Sequence, residues 1–284
     1  MKGFFVRYPD NTSRPLINSP SRFLPLTVIL VLSTLVLLPG PASCQENPSF
    51  EAAPSVYGPG ERMVFSIGYG PITAGEGILE VVGLTEYKGH TCYHIQSKAN
   101  SNRFFSSIYK VRDKVTSYID VETLYSRYFN KRLREGDYKK SVEIDFDHLA
   151  EEARYSNGET YPIALGVQDV LSAFYYVRNL DLEVGKVYKV PAHSSRKTYD
   201  LDVIIHGKER VEVAAGTWDC FVVEPVIQGD GLFKHEGKLT LYISDDSQRI
   251  PVLIKTKVPV GSINVELTEY RPGTPLVTVI EKTP

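Results

Sequence analysis

"GYGPITAGEGILEV", residues 68–81, decides how the rest of the chain is read. It sets four glycines and a proline among apolar residues. Phosphate-cradling glycine loops lie between a strand and a helix N-terminus, where amide N–H groups converge on the anion. Here the glycines run into "ILEVVGL", which reads as another strand, and no Lys-Ser or Lys-Thr pair follows. The stretch is therefore hairpin punctuation. Gly68, Gly70 and Pro71 mark a bulged strand end, and Gly75 is assigned a positive-φ turn position.

Outward from that bend the chain alternates strand and turn. "RMVFSIGY" precedes it, with Met63, Phe65 and Ile67 on one side. "EGILEVVGL", "TCYHIQSKA", "YKVRDKVTSYID", "LYSRYFNKRLREG" and "YKKSVEIDFDHL" follow, with turns at Gly89 and Gly136-Asp137. One amphipathic helix is expected in "QDVLSAFYYVRNLDLE", residues 168–183, where Val170, Leu171, Phe174 and Val177 recur at helical spacing and Asp169 can cap the start. Strands resume with "KVYKVPAH", "TYDLDVIIHG", "ERVEVAAG", "TWDCFVVEPVI", "GKLTLYISDD", "RIPVLIKTKVP" and "GSINVELTEY". About a dozen short strands around one central helix predict a mainly β protein, an antiparallel sheet curled into a barrel-like form or a sandwich. The 18 tyrosines among abundant Val, Ile and Thr favour the same class.

The N-terminus reads separately. Lys2, Arg7, Arg14 and Arg22 precede an apolar run over residues 23–38, followed by "PGPASC". This is the pattern of a secretory signal over residues 1–44, and the run is shorter than the roughly 20 residues of a membrane-spanning helix. Pro41-Ala42-Ser43-Cys44 resembles a bacterial lipoprotein cleavage box, which makes Cys44 a candidate lipid attachment site; ordinary cleavage is the alternative. Residues 45–60 read as a flexible tether, 61–271 as one β-rich domain and 272–284 as a C-terminal tail. Export to the periplasm follows, with outer-membrane association through Cys44 as the anchored variant. Without residues 1–44 the chain keeps 28 basic and 33 acidic residues, net −5, with no basic block, so nucleic acid is not an expected partner. Cys92 and Cys220 are the remaining cysteines, and two readings stay open for them: a disulfide, or two buried thiols.

"YGPITAGEGILEV", "DVLSAFYYVR", "AAGTWDCFVVEP" and "LYISDDSQRIPVLIKTKVPVGSINVEL", in that order, resemble the bacterial domain of unknown function 3108 family, a group of exported envelope proteins. The resemblance runs from about Glu61 to Tyr270. It departs at the helix start, where the family often has Asp-Pro and this chain has Asp169-Val170. The resemblance implies an envelope location and a β-rich fold, and no reaction.

The candidate chemistry is sparse. His90, Cys92 and His94 alternate on one strand face and are metal-ligand types, but neighbours there stand nearly 7 Å apart, too far to share one ion without distortion. Glu143, Asp145 and Asp147 read as a solvated face, and Asp245, Asp246 and Arg249 as a hairpin turn in which carboxylates bond turn amides. There is no Gly-x-Ser-x-Gly elbow and no cofactor fingerprint, so no catalytic residue, cofactor or metal is assigned. An aromatic-rich curved sheet with one helix can instead enclose an apolar cavity. By fold-level analogy with periplasmic lipoprotein carriers, the helix would be a lid. Phe174, Tyr175, Tyr118, Tyr128 and Tyr242 are the candidate lining or lid residues. The expected function is non-enzymatic binding of a lipid or other apolar small molecule. The alternatives are an envelope interaction protein with a protein partner and, last, a hydrolase of envelope polymers. Membrane contact is expected only through the Cys44 anchor.

Overall fold

The computed structural model describes residues 55–70, 72–227, 239–257 and 262–276. The expected leader, Cys44 and the first part of the expected tether lie outside the described residues. The chain begins with β1 (Arg62–Tyr69), β2 (Ile72–Tyr87), β3 (His90–Ser101), a short helix α1 (Arg103–Ile108), β4 (Arg112–Asp120) and β5 (Ser126–Glu135). It continues through β6 (Tyr138–Asp147), β7 (Glu152–Tyr155), β8 (Thr160–Pro162) and helix α2 (Val170–Arg178). It closes with β9 (Val187–Ser194), β10 (Lys197–Val213), β11 (Gly216–Ile227), β12 (Leu239–Ser244), β13 (Pro251–Lys257) and β14 (Ser262–Arg271).

The 14 strands of the described residues form one sheet, in the order β8-β7-β6-β5-β4-β3-β2-β1-β14-β13-β12-β11-β10-β9. Two antiparallel meanders therefore run outward from a central pair, β1 against β14. The ladder is not closed, but the sheet curls until its two edges meet. Gln168, between β8 and α2, bridges β9: its N–H donates to Pro191 O at 2.8 Å and its carbonyl accepts from His193 N at 2.8 Å. Thr198 on β10 donates to Pro162 O on β8 at 2.9 Å. The barrel-like reading holds and the sandwich does not.

Local differences from the sequence reading have physical causes. β10 is one 17-residue strand where two were expected, because a bulge at Ile205/Gly207 absorbs the break in alternation. β7 and β8, four and three residues, are too short to show a period. α2 stops at Arg178, with Asn179 as its C-cap, five residues before the expected end. A second helix, α1, was not expected; Asn102 caps it by accepting from Phe105 N at 2.9 Å. Gly75 lies inside β2 and is not a positive-φ residue; the turn uses Gly70, at φ +55°. Gly75 is needed for close approach, since a Cβ there would lie 2.2 Å from the Asn100 carbonyl oxygen.

Packing also carries the domain past its expected bounds. Residues 55–60, within the expected tether, belong to the packed domain: Tyr57 is buried, with its ring 5.2 Å from Tyr93 and 4.7 Å from Tyr175. On the other side, Thr274 N donates to Pro59 O at 3.0 Å, and Leu276 packs on the main core. That core gathers Met63, Phe65, Leu79, Val81, Ile95 and Leu267 from the central strands. A second cluster forms under β9–β12, around Val190, Val203, Ile205 and Val223. α2 lies between them, giving Leu171 and Tyr175 to the first and Ala173 and Val177 to the second.

Candidate functional site

The first link is the cap of α2. Asp169 accepts from Leu171 N (2.7 Å) and Ser172 N (2.9 Å) on one carboxylate oxygen, and Ser172 Oγ accepts in turn from Asp169 N at 2.8 Å. This is a capping box. The other oxygen accepts from Ser117 Oγ on β4 (2.6 Å) and Ser126 Oγ on β5 (2.5 Å). Burial pushes the Asp169 carboxyl up, and the four donors pull against it. One side chain thus both starts the helix and pins it to two strands.

The other end of α2 is held by charge. Arg178 donates to both oxygens of Glu61, at 2.8 and 2.7 Å, and to the backbone carbonyls of Arg249 (2.9 Å) and Gln248 (3.0 Å). The pair is completely enclosed: the side chains are 0% and 1% exposed. The rings of Tyr57 and Tyr175 lie over the guanidinium, at 5.4 and 5.1 Å to their centroids.

Held at both ends, α2 leaves space on each side. A cavity of about 290 Å³ lies against β9–β13, walled by residues such as Ala173, Val177, Ala192, Val203, Leu241 and Ile243. Among the described residues, every side chain around it is apolar except Tyr199. A larger cavity, about 460 Å³, lies against β2–β6. Leu79, Val115, Phe129, Leu133 and Leu171 make its apolar part, and Asp113, Lys131, Glu135 and Lys140 bring charge to it. Val170, Phe174 and Ile254 line both.

Of the five aromatics expected at a cavity, Phe174 alone lines one. Tyr175 is one position along α2 and points into the core against Tyr57. Tyr242 lies between the lining residues Leu241 and Ile243, so strand alternation turns it to the opposite face, under the Lys255 ammonium at 5.1 Å. Tyr118 alternates with the inward Ser117, and Tyr128 is its cross-strand partner. Their rings stack at 4.9 Å on the reverse face, with Tyr87 beside them. Tyr199 was missed, and no signal in its own neighbours marks it.

Other singled-out residues are structural in the described geometry. Cys92 and Cys220 are separate free thiols, so the disulfide reading is corrected. They lie on β3 and β11, strands far apart in the sheet order. His90 Nδ1 lies 3.0 Å from Asp120, and the His94 ring packs edge-on against Tyr118. Among the described residues no three His, Cys, Asp or Glu side chains gather at a metal-binding distance. Glu143 accepts from Tyr128 (2.9 Å), Asp145 from Tyr87 (3.2 Å), and Asp147 pairs with Arg154 (2.9 Å). Asp246 accepts from Gln248 N (2.9 Å) and Arg249 N (3.0 Å) in the turn after β12, and Arg249 lies 3.3 Å from Asp245.

An antiparallel sheet curled round an internal helix, with cavity space on either side, defines an open barrel-like fold. The model of the DUF3108 family, proteins of unknown function, matches residues 64–268, and the chain belongs to that family. A crystal structure of a beta-barrel-like protein of the domain of unknown function DUF1849, from Brucella abortus, superposes with a TM-score of 0.53 at 9% identity, covering 78% of this chain and 100% of that one. This likeness shows the fold alone. A DUF1089 family protein from Pseudomonas aeruginosa has a TM-score of 0.34 at 12% identity, covering 68% of this chain and 92% of its own. No curated protein matches the chain.

Proposed function

We propose that the protein is an exported, non-enzymatic binder of an apolar or amphipathic small molecule, held between α2 and the concave face of the sheet. The observation that carries this is the smaller cavity: about 290 Å³ of space whose only polar side chain, among the described residues, is Tyr199. Water gains nothing in such a space, whereas each methylene buried there contributes about 0.8 kcal/mol. The larger cavity suits the rest of an amphipathic ligand, with apolar walls for a chain and charged groups for a polar end. Export rests on the leader pattern of residues 1–44, and lipid anchoring on Cys44.

Native mass spectrometry of the chain, purified from a bacterial host without detergent, tests the reading. A mass excess that disappears on denaturation, and matches an apolar compound, is the expected result. A bare polypeptide mass that stays bare after incubation with fatty acids and phospholipids would end it.

A further inference from the structure

The charge of this chain is unevenly placed. Residues 103–114 and 131–140 carry nine lysines and arginines against three carboxylates, in a chain of net charge −2. The fold brings both stretches to one end of the sheet: Gly136 N donates to Lys110 O at 2.8 Å, and Val111 bridges Glu135. Strand alternation then sorts the side chains. Asp113, Lys131, Glu135 and Lys140 turn inward to the larger cavity. Arg112, Lys114, Arg132, Arg134 and Lys139, at the alternate positions, turn outward and are exposed.

These cations face one another across strands. Lys114 is opposite both Lys98 and Arg132, and Arg134 is opposite Lys139. Like charges placed directly opposite destabilise a sheet. Lys98 has Glu80 at 3.2 Å, and Arg112 donates to the carbonyls of Ser101 and Val111. Among the described residues, the other four form no ion pair. Glu76 and Asp137 are the exposed acids in this part of the lattice.

A second feature lies at the same end. α1 leaves β3 there, tied down by Asn102, which donates from Nδ2 to Thr73 O at 2.7 Å and from N to Ala74 O at 2.9 Å. Phe104 and Ile108, one turn apart on α1, are 66% and 64% exposed, and Ile72 at the start of β2 is 52% exposed. Exposed Arg103 and Lys110 flank them. Cores of protein interfaces are depleted of charge. Large apolar side chains set among cations are instead the pattern of attachment to an anionic lipid surface.

We propose that this end of the sheet docks on an anionic phospholipid bilayer. Phe104 and Ile108 enter the boundary between headgroups and acyl chains, and the outward cations face the lipid phosphates. This is membrane contact in addition to any anchor at Cys44, and it does not depend on a ligand in the cavities. It also brings the larger cavity, lined by the same strands, beside the bilayer.

The test places an indole at the site. The full chain carrying Cys44→Ser, Trp218→Phe and Phe104→Trp is mixed with vesicles of phosphatidylcholine, alone or with 30 mol% phosphatidylglycerol. A blue shift of the new indole, with quenching by brominated acyl chains, is expected on the anionic vesicles and is reversed by salt. Adding Arg112→Glu, Arg132→Glu and Arg134→Glu should weaken that insertion by about 100-fold, at about fivefold per cation removed. These positions are exposed, and an unchanged circular dichroism melt verifies folding. An indole that stays in water while the chain is vesicle-bound overturns the proposal, because attachment then runs through another segment or a protein contact. Insertion that survives the charge reversal, or is equal on neutral vesicles, overturns it as well.

Discussion

Glu61 and Arg178 are 117 residues apart, and their ion pair ties the chain entering β1 to the last turn of α2 and the turn after β12. A buried pair of this kind adds little over an apolar pair of the same volume, yet breaking it strands a charge in the core. Glu61→Gln is therefore expected to cost about 3–5 kcal/mol, lowering Tm by about 10 °C. Glu61→Leu combined with Arg178→Met should recover most of the loss. Thermal melts of the single and double variants measure this, and a single variant as stable as the parent would show that the pair is not enclosed. The cysteines give a chemical test at the same scale. Burial pushes both thiols up to about 12, with Asp120 adding to the effect at Cys92 and Asp219 at Cys220. In a Cys44→Ser chain at pH 8, neither should react with a disulfide reagent until guanidinium unfolds the protein. Rapid native labelling of either would contradict the packing described for β3 or β11.

At the scale of elements, the seam between the sheet edges is the informative place. Thr198 gives its proton to Pro162 O, so its oxygen accepts from His193 Nδ1–H at 2.9 Å. Arg196 N–H donates to Tyr155 Oη at 3.0 Å, leaving the tyrosine proton for His193 Nε2 at 2.9 Å. The chain of bonds needs a neutral imidazole. The rings of Phe146, Tyr155 and Tyr161 surround it. Burial holds the His193 pKa down, from 6.5 to about 4. The folded value is the lower one, so the contribution is fully present above pH 6.5 and is lost as pH falls towards 4. It amounts to about 3 kcal/mol. Tm should decline across that interval, and His193→Gln, which keeps a donor and an acceptor but cannot titrate, should flatten the decline. An identical pH profile in both proteins would remove His193 from the seam. This seam was not legible in the sequence. Its members belong to β7, β8, β9 and β10, and β7 and β8 are too short for periodicity to register. Longer elements were legible. β6 alternates Val142, Ile144 and Phe146 with carboxylates, and α2 shows both its apolar spacing and its capping aspartate.

For the whole molecule, the class of fold was readable because about a dozen alternating runs admit few architectures. The site was not. Whether an aromatic on a strand faces a cavity depends on its parity relative to bulges at Ile67/Gly68, Val81/Gly83, Tyr118/Ile119 and Tyr242/Ile243, and the pattern of residues does not announce these. One slip of parity moves a residue to the other face. That is why Tyr118, Tyr128 and Tyr242 face away from the two cavities while Phe174, on a helix with an unbroken period, lies where the spacing put it. Among the described residues the two spaces share only Val170, Phe174 and Ile254, and alanines line each separately: Ala173 and Ala192 the smaller, Ala99 the larger. Ala192→Phe and Ala99→Phe each fill one space with an apolar ring. Filling existing space avoids most of the 1–3 kcal/mol that overpacking a dense core costs. A ligand that enters both spaces should lose affinity in both variants. A ligand confined to the apolar side should lose it in Ala192→Phe alone. Titration of a naphthylamine dye, whose emission rises in apolar surroundings, reads the outcome directly. Unchanged binding in both variants, with melts showing both proteins folded, would place the dye outside α2 and its two cavities.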